Sequence, residues 1–317
     1  VASDLSKQHS MDAIRLIFDY NPLTLEALWA KVDSNDLILA ADDKDDVDLW
    51  GLNASYELGD ELNTQIEGYF FAKVDKNVAG LQSKSDTVYV PGLRASADIL
   101  DGLNVQGELA WQKGNRVATT ATEDDNEKRD AMAAQFIGNY QVPNDVLPDE
   151  LEKYNPSLQY IYTYVSGDSN PNDRRAETEA SSNKYTAWDP MFENQSGGKI
   201  YNSLFNLTNA HIQEVSLKVK PIEDVTTKLG WTGLWLDKEL NDNDTIALLQ
   251  PDGGTAAIAW EEDETYLGCE IDWDTVYDYT EDVQIGASFG WFNPGDVFDS
   301  DNEKTASQAI LHANVNF

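Results

Sequence analysis

Val283-Gln284-Ile285-Gly286-Ala287-Ser288-Phe289-Gly290-Trp291 alternates, residue by residue, between apolar and polar or small side chains. Successive side chains of an extended strand point to opposite faces, whereas a helix would scatter these residues around its axis. The stretch reads as a strand with one greasy face, and the pattern recurs outward from it. Leu103, Val105, Leu109 and Trp111 oppose Asn104, Gln106 and Glu108; Val225, Leu229, Trp231 and Trp235 oppose Thr226, Lys228 and Thr232. In Ala306–Phe317, Ala309, Leu311, Ala313, Val315 and Phe317 share one face. Gln308, His312, Asn314 and Asn316 share the other, with Ile310 the exception.

The period-2 criterion predicts about thirteen strands. They fall near 11–21, 23–32, 47–58, 62–74, 87–99, 103–113, 130–141, 156–166, 210–221, 224–236, 265–279, 283–293 and 306–317. Tight turns at Asn21-Pro22, Gly59-Asp60-Glu61, Asp101-Gly102, Ile222-Glu223 and Thr280-Glu281-Asp282 alternate with long polar loops near 33–46, 75–86, 114–129, 167–209, 237–264 and 294–305. Only the connection 142–155 blurs the alternation. A soluble sandwich has no reason to sort its loops by length, but a transmembrane up-and-down barrel does, with short turns periplasmic and long loops outside. Strands entering the short turns tend to finish on an aromatic, namely Tyr20, Tyr56, Tyr140, Tyr279 and Phe317, as expected of a girdle at the membrane–water boundary. A final alternating strand closed by Phe317 also resembles the terminal signal read by the barrel assembly machinery. The expected site is therefore the bacterial outer membrane, with the C-terminus periplasmic and lipid and lipopolysaccharide as neighbours.

Composition agrees with that class. There are 57 acidic and 22 basic residues, a formal net charge of -35. A surface so acidic repels nucleic acid, because binding it means neutralising phosphates with Lys and Arg. The single cysteine, Cys269, excludes an internal disulfide. Mean hydropathy is -0.50, and no apolar run approaches the roughly 18 residues of a spanning helix, a test that barrel strands escape.

If Phe317 is periplasmic, the thirteenth strand descends, and so does the first. Single-chain bacterial barrels usually have an even strand number. The expectation is one barrel domain over 1–317 that lacks an odd number of N-terminal strands, Val1–Ser10 being the tail of an extracellular loop.

Several phrases resemble the alginate export family of outer-membrane proteins. They are Met11-Asp12-Ala13-Ile14-Arg15-Leu16, Leu23-Thr24-Leu25-Glu26-Ala27-Leu28-Trp29-Ala30-Lys31-Val32, Ser166-Gly167-Asp168-Ser169-Asn170-Pro171-Asn172-Asp173, Trp188-Asp189-Pro190-Met191-Phe192, Leu267-Gly268-Cys269-Glu270-Ile271-Asp272 and Gly290-Trp291-Phe292-Asn293-Pro294-Gly295-Asp296. Their order and spacing are similar over nearly the whole chain. The resemblance implies a monomeric barrel of about 16–18 strands that passes a polysaccharide or smaller solute. The family's named member moves a polyanion through an arginine-rich lumen. Here the faces assigned to the lumen carry mixed charge with an acidic excess. Arg15, Arg94, Lys218 and Lys228 are basic; Asp12, Glu67, Asp98, Glu108, Glu214, Glu270, Asp272 and Asp274 are acidic. Opposed charges lining a narrow lumen select by charge, and this balance suits a neutral or cationic solute better than an anionic polymer.

Catalytic patterns are sparse. His9, His211 and His312 lie far apart, and none sits in a nucleophile motif, so no enzyme is expected. The long loop 167–209 is functional or disordered by its length. Trp188, Asp189 and the Gly197-Gly198 pair are its candidates for constricting or capping the pore. Acidic loops give weak calcium candidates in Asp42, Asp43, Asp45, Asp299 and Asp301, because calcium prefers several carboxylate oxygens in flexible loops. No other cofactor is expected. The leading functional expectation is a passive outer-membrane channel. The alternatives are a structural or adhesive surface barrel with a plugged lumen and a soluble all-β carbohydrate-binding protein.

Overall fold

A computed structural model describes residues 11–33, 47–76, 85–117, 126–169, 184–191, 197–239, 261, 263–299 and 303–315. Among these, one antiparallel meander accounts for nearly all regular structure. Its strands are β1 (Asp12–Tyr20), β2 (Leu23–Asp33), β3 (Val47–Glu57), β4 (Gln65–Asp75), β5 (Asp86–Leu100), β6 (Leu103–Val117), β7 (Asn126–Gln141) and β8 (Ser157–Val165). They continue as β10 (Ala210–Ile222), β11 (Val225–Leu236), β12 (Tyr266–Asp278), β13 (Val283–Pro294) and β14 (Ala306–Val315). Each pairs with its sequence neighbours, and β8 pairs with β10. The two-residue strand β9 (Lys184–Tyr185) lies off this path and pairs parallel with β7. Two single-turn α-helices, α1 (Asp149–Glu152) in the 142–155 connection and α2 (Tyr201–Leu204), and a 3-10 turn at Asn144–Val146 complete the set. No helix among the described residues is long and apolar enough to cross a membrane.

The sheet carries two chemically opposite faces, and its register follows from keeping them apart, since a one-residue slip would invert both. Trp29 lies opposite Trp50, Leu93 opposite Leu109, Trp231 opposite Ile271, and Ala287 opposite Leu311. Trp50, Leu52, Leu93, Leu229 and Leu311 are all exposed, Leu311 at 82%. An apolar face running across every strand far exceeds what a monomer in water leaves bare. In hydrocarbon it is satisfied, as are the backbone groups tied up in the ladder. The opposite face carries Asn53, Glu67, Arg94, Glu108, Gln135, Glu214, Glu270 and Asp274. Ile310 joins it opposite Ser288.

Tyr20, Tyr56 and Tyr140 lie on the apolar face at the short-turn end, and Tyr279 follows β12 at the same end; Phe317 lies outside the described residues. Some bounds differ from the sequence expectation. β6 and β7 extend four residues further toward the long loop, because Arg116 pairs in register with Glu127 and Gly114 with Arg129. β4 begins at Gln65 because Asp60 closes the turn before it, accepting from the Thr64 amide at 2.8 Å and the Thr64 hydroxyl at 2.7 Å. Those two bonds hold the Asp60 carboxyl below its ordinary range. Among the described residues β1 pairs only with β2 and β14 only with β13, so both sheet edges are open.

Candidate functional site

The polar face is covered by residues 184–191 and 197–205 of the long connection between β8 and β10. Two anchors hold them down. The first lies over β4–β7. Gln112, fully buried on β6, donates to the Asp189 carbonyl at 2.6 Å and accepts from the Asp189 amide at 2.8 Å, as a strand edge would. Arg129 on β7 binds Asp86 at 2.8 Å and Asp189 at 3.1 Å. Its guanidinium and that of Arg116 both lie over the Tyr185 ring, Arg116 at 3.9 Å from the centroid. Burial among these groups raises the Tyr185 hydroxyl, which stays protonated. Lys73 on β4 donates to the Met191 carbonyl at 2.5 Å. Trp188 packs against a buried cluster of Val88, Val90 and Ala110.

The second anchor is Glu270 on β12, with no exposed surface. Its Oε1 accepts from the Lys199 amide at 2.5 Å and the Ile200 amide at 2.9 Å, and its Oε2 from the Tyr201 amide at 2.7 Å. Three consecutive amides at the start of a turn present a patch of positive partial charge, and the carboxylate fills it. Gly197 and Gly198 make the approach possible. A Cβ on Gly198 would meet the Tyr201 ring at 2.2 Å, and one on Gly197 would meet Glu214 Oε1 at 2.7 Å. Gly198 also sits at φ +78°, where other residues are strained. The pair is a packed corner. Tyr201 is buried beneath it and donates to Glu214 at 3.0 Å, and burial with that carboxylate beside it raises the Tyr201 hydroxyl well above its usual value. Lys199 reaches Asp274 at 3.1 Å. Ile200, Tyr201 and Phe205 then join Leu234, Leu267, Phe292 and Phe298 in the largest apolar cluster.

Eleven of the twelve candidate lining residues fall on the polar face: Arg15, Glu67, Arg94, Asp98, Glu108, Glu214, Lys218, Lys228, Glu270, Asp272 and Asp274. Asp12 is the correction. It lies opposite Lys31 on the face of Ile14, Leu16 and Phe18, as its even number against the odd number of Arg15 requires. Several of the charges are bound by side chains of the neighbouring strand. Arg15 binds Glu26 at 2.6 Å. Arg94 binds Glu67 at 3.3 Å and Gln106 at 2.6 Å. Asp98 accepts from Asn63 and Asn104 at 2.9 and 2.8 Å. Lys218 lies directly opposite Lys228, and Lys228 opposite Asp274. Trp188, Asp189, Gly197 and Gly198 all belong to the covering segment. Gln112, Arg116, Glu127, Arg129, Lys73 and Glu26 also belong to the site but were missing from the sequence-derived set. Glu26, Lys73 and Gln112 continue the alternation of their strands, whereas Arg116, Glu127 and Arg129 fall in a stretch that reads as loop.

Of the calcium candidates, Asp42, Asp43, Asp45 and Asp301 lie outside the described residues. Asp299 is half-buried, and no three acidic, His or Cys side chains converge as a metal site among the described residues.

Residues 5–312 match the alginate export family. The chain belongs to that family. This alginate export family member is accordingly an outer-membrane β-barrel protein, its apolar face toward lipid. No curated protein matches the chain. Among solved structures it is similar to the siderophore receptor PirA from Acinetobacter baumannii, at 11% sequence identity and a TM-score of 0.37. That match covers 95% of this chain but 46% of the receptor, so the chain spans less than half of the receptor's length.

Proposed function

We propose that this alginate export family member is a passive outer-membrane channel, its lumen the polar face and its bore narrowed by residues 184–191 and 197–205. The observation that carries this reading is the double anchoring of that segment across the polar face, on β4–β7 through Gln112 and Arg129 and on β12 through Glu270. A buried charged anchor at each end suits a fixed constriction. Arg15 and Arg94 are bound to carboxylates of the neighbouring strands, so the acidic residues that remain on the polar face dominate its field and sort solutes by charge. The solute is a polysaccharide or a small polar molecule, and the lumen does not favour polyanions. Short turns face the periplasm and the C-terminus is periplasmic. The protein acts as a monomer.

The test is single-channel recording in planar bilayers. Discrete, reproducible conductance steps are expected. Protein that migrates as a folded, heat-modifiable barrel yet carries no current would overturn the channel and favour a plugged surface barrel, the reading that the large apolar cluster beneath α2 supports.

A further inference from the structure

A cavity of about 220 Å³ opens under Trp188, lined by Tyr69, Glu108, Gln135, Thr163, Val165 and Leu207 among others. We propose that it binds one neutral hydroxylated ring of pyranose size. This deepens the channel reading and rests on it for access to the solute. Two aromatic rings, Tyr69 from β4 and Trp188 from the covering segment, give flat apolar walls, and such walls suit the C–H faces of a sugar ring. The polar groups suit its rim. Glu108 is an acceptor already oriented by the Tyr69 hydroxyl. Gln135 donates to the Thr163 hydroxyl at 3.0 Å and keeps a second N–H and its carbonyl free in kind for a ligand. A small pocket with a few convergent polar groups among apolar walls is the usual form of a ligand site.

Charge narrows the class. No Lys or Arg lines the cavity among the described residues. The nearest cations are committed elsewhere, Arg94 to Glu67 and Gln106, and Lys73 to the Met191 carbonyl. An anionic ring would meet the Glu108 carboxylate with no cation in the cavity lining to bind it. Glu108 in turn lies opposite Arg94 in register, which lowers its pull on a cationic ring.

The experiment is saturation-transfer NMR on the protein in an amine-oxide detergent, which carries no sugar headgroup. The probes are a neutral hexose, its uronate and its 2-amino form. Hexose binding is expected to exceed both, and Trp188→Ala should weaken it about three- to tenfold, the value of one aromatic contact. Glu108→Gln should keep the hexose and strengthen the uronate. Gln135→Leu, on the other wall, repeats the test should Trp188→Ala lose its heat-modifiable migration. Equal or tighter uronate binding, tighter amino-sugar binding lost in Glu108→Gln, or hexose binding indifferent to the wall substitutions would overturn the proposal. The assay needs no ion flow, so hexose binding by a non-conducting protein would keep the site while rejecting the channel.

Discussion

Replacing Glu270 by Gln removes one oxygen from the cup that receives three consecutive amides. The shape is kept, but Gln offers one acceptor oxygen, and its NH2 must face an N–H. The best orientation keeps the Lys199 and Ile200 amides on Oε1 and orphans the Tyr201 amide, now bonded at 2.7 Å. An orphaned buried donor costs about 1–3 kcal/mol, and the two surviving bonds lose their charge assistance, together on the order of 2–4 kcal/mol. Removing the charge also relieves repulsion with the neighbouring Glu214 and Asp272, which offsets part of this loss. The net effect falls at the lower end, about 2 kcal/mol, or roughly a 30-fold easier local opening. Hydrogen exchange reads this directly, because these amides exchange when the segment lifts. Residues 199–201 should exchange about 30-fold faster in Glu270→Gln, with strand amides unchanged. Unaltered exchange at 199–201 in a correctly folded barrel would refute the anchoring role of Glu270.

Arg129→Met should release the other anchor. It leaves Asp86 and Asp189 without their buried partner, at a local cost of about 3–5 kcal/mol, and trypsin cleavage after Lys184 should accelerate. Leu52→Arg, on the apolar face, should cost about 2–4 kcal/mol of membrane stability near the bilayer midplane, measured by urea titration in lipid vesicles. Asn53→Arg, one residue away on the polar face, should be nearly neutral, and equal effects would contradict the assignment of faces. Asp60 tests the turn. A carboxyl with a folded value below its unfolded one contributes stability above the ordinary carboxylate range and loses it as pH falls through the folded value. Protection of the Thr64 amide should therefore decline in that acid window, and Asp60→Asn should remove the pH dependence.

Much of the sheet was legible because its driving pattern is local. Alternation located the thirteen long strands, and the last one kept its register down to the exception at Ile310. Legibility failed where polar residues extend a strand. Gly114–Val117 and Asn126–Arg129 carry no apolar stripe, so they read as loop, yet cross-strand pairing of Arg116 with Glu127 makes them strand. Asp12 and Arg15 lie three residues apart, an odd separation that puts them on opposite faces of β1. The site's two faces were visible, but its anchors were not. Glu270 reads as one more carboxylate on a polar face. Only the return of a segment some seventy residues earlier in the chain makes it a cap for three amides. Gln112 likewise reads only as one more polar residue of that face, because its partner is the Asp189 backbone. The Gly197-Gly198 pair reads as part of a constricting loop, and the structure uses its missing side chains for close packing against Tyr201 and Glu214.

Central to this account is a polar lumen narrowed by the segment between β8 and β10. The most direct measurement compares single-channel conductance of the intact protein with that of a variant in which residues 170–206 are replaced by a short Gly-Ser bridge. Stable channels are expected in both, with clearly larger conductance and weaker charge selectivity in the variant. Equal conductance and selectivity in two correctly folded barrels would contradict it.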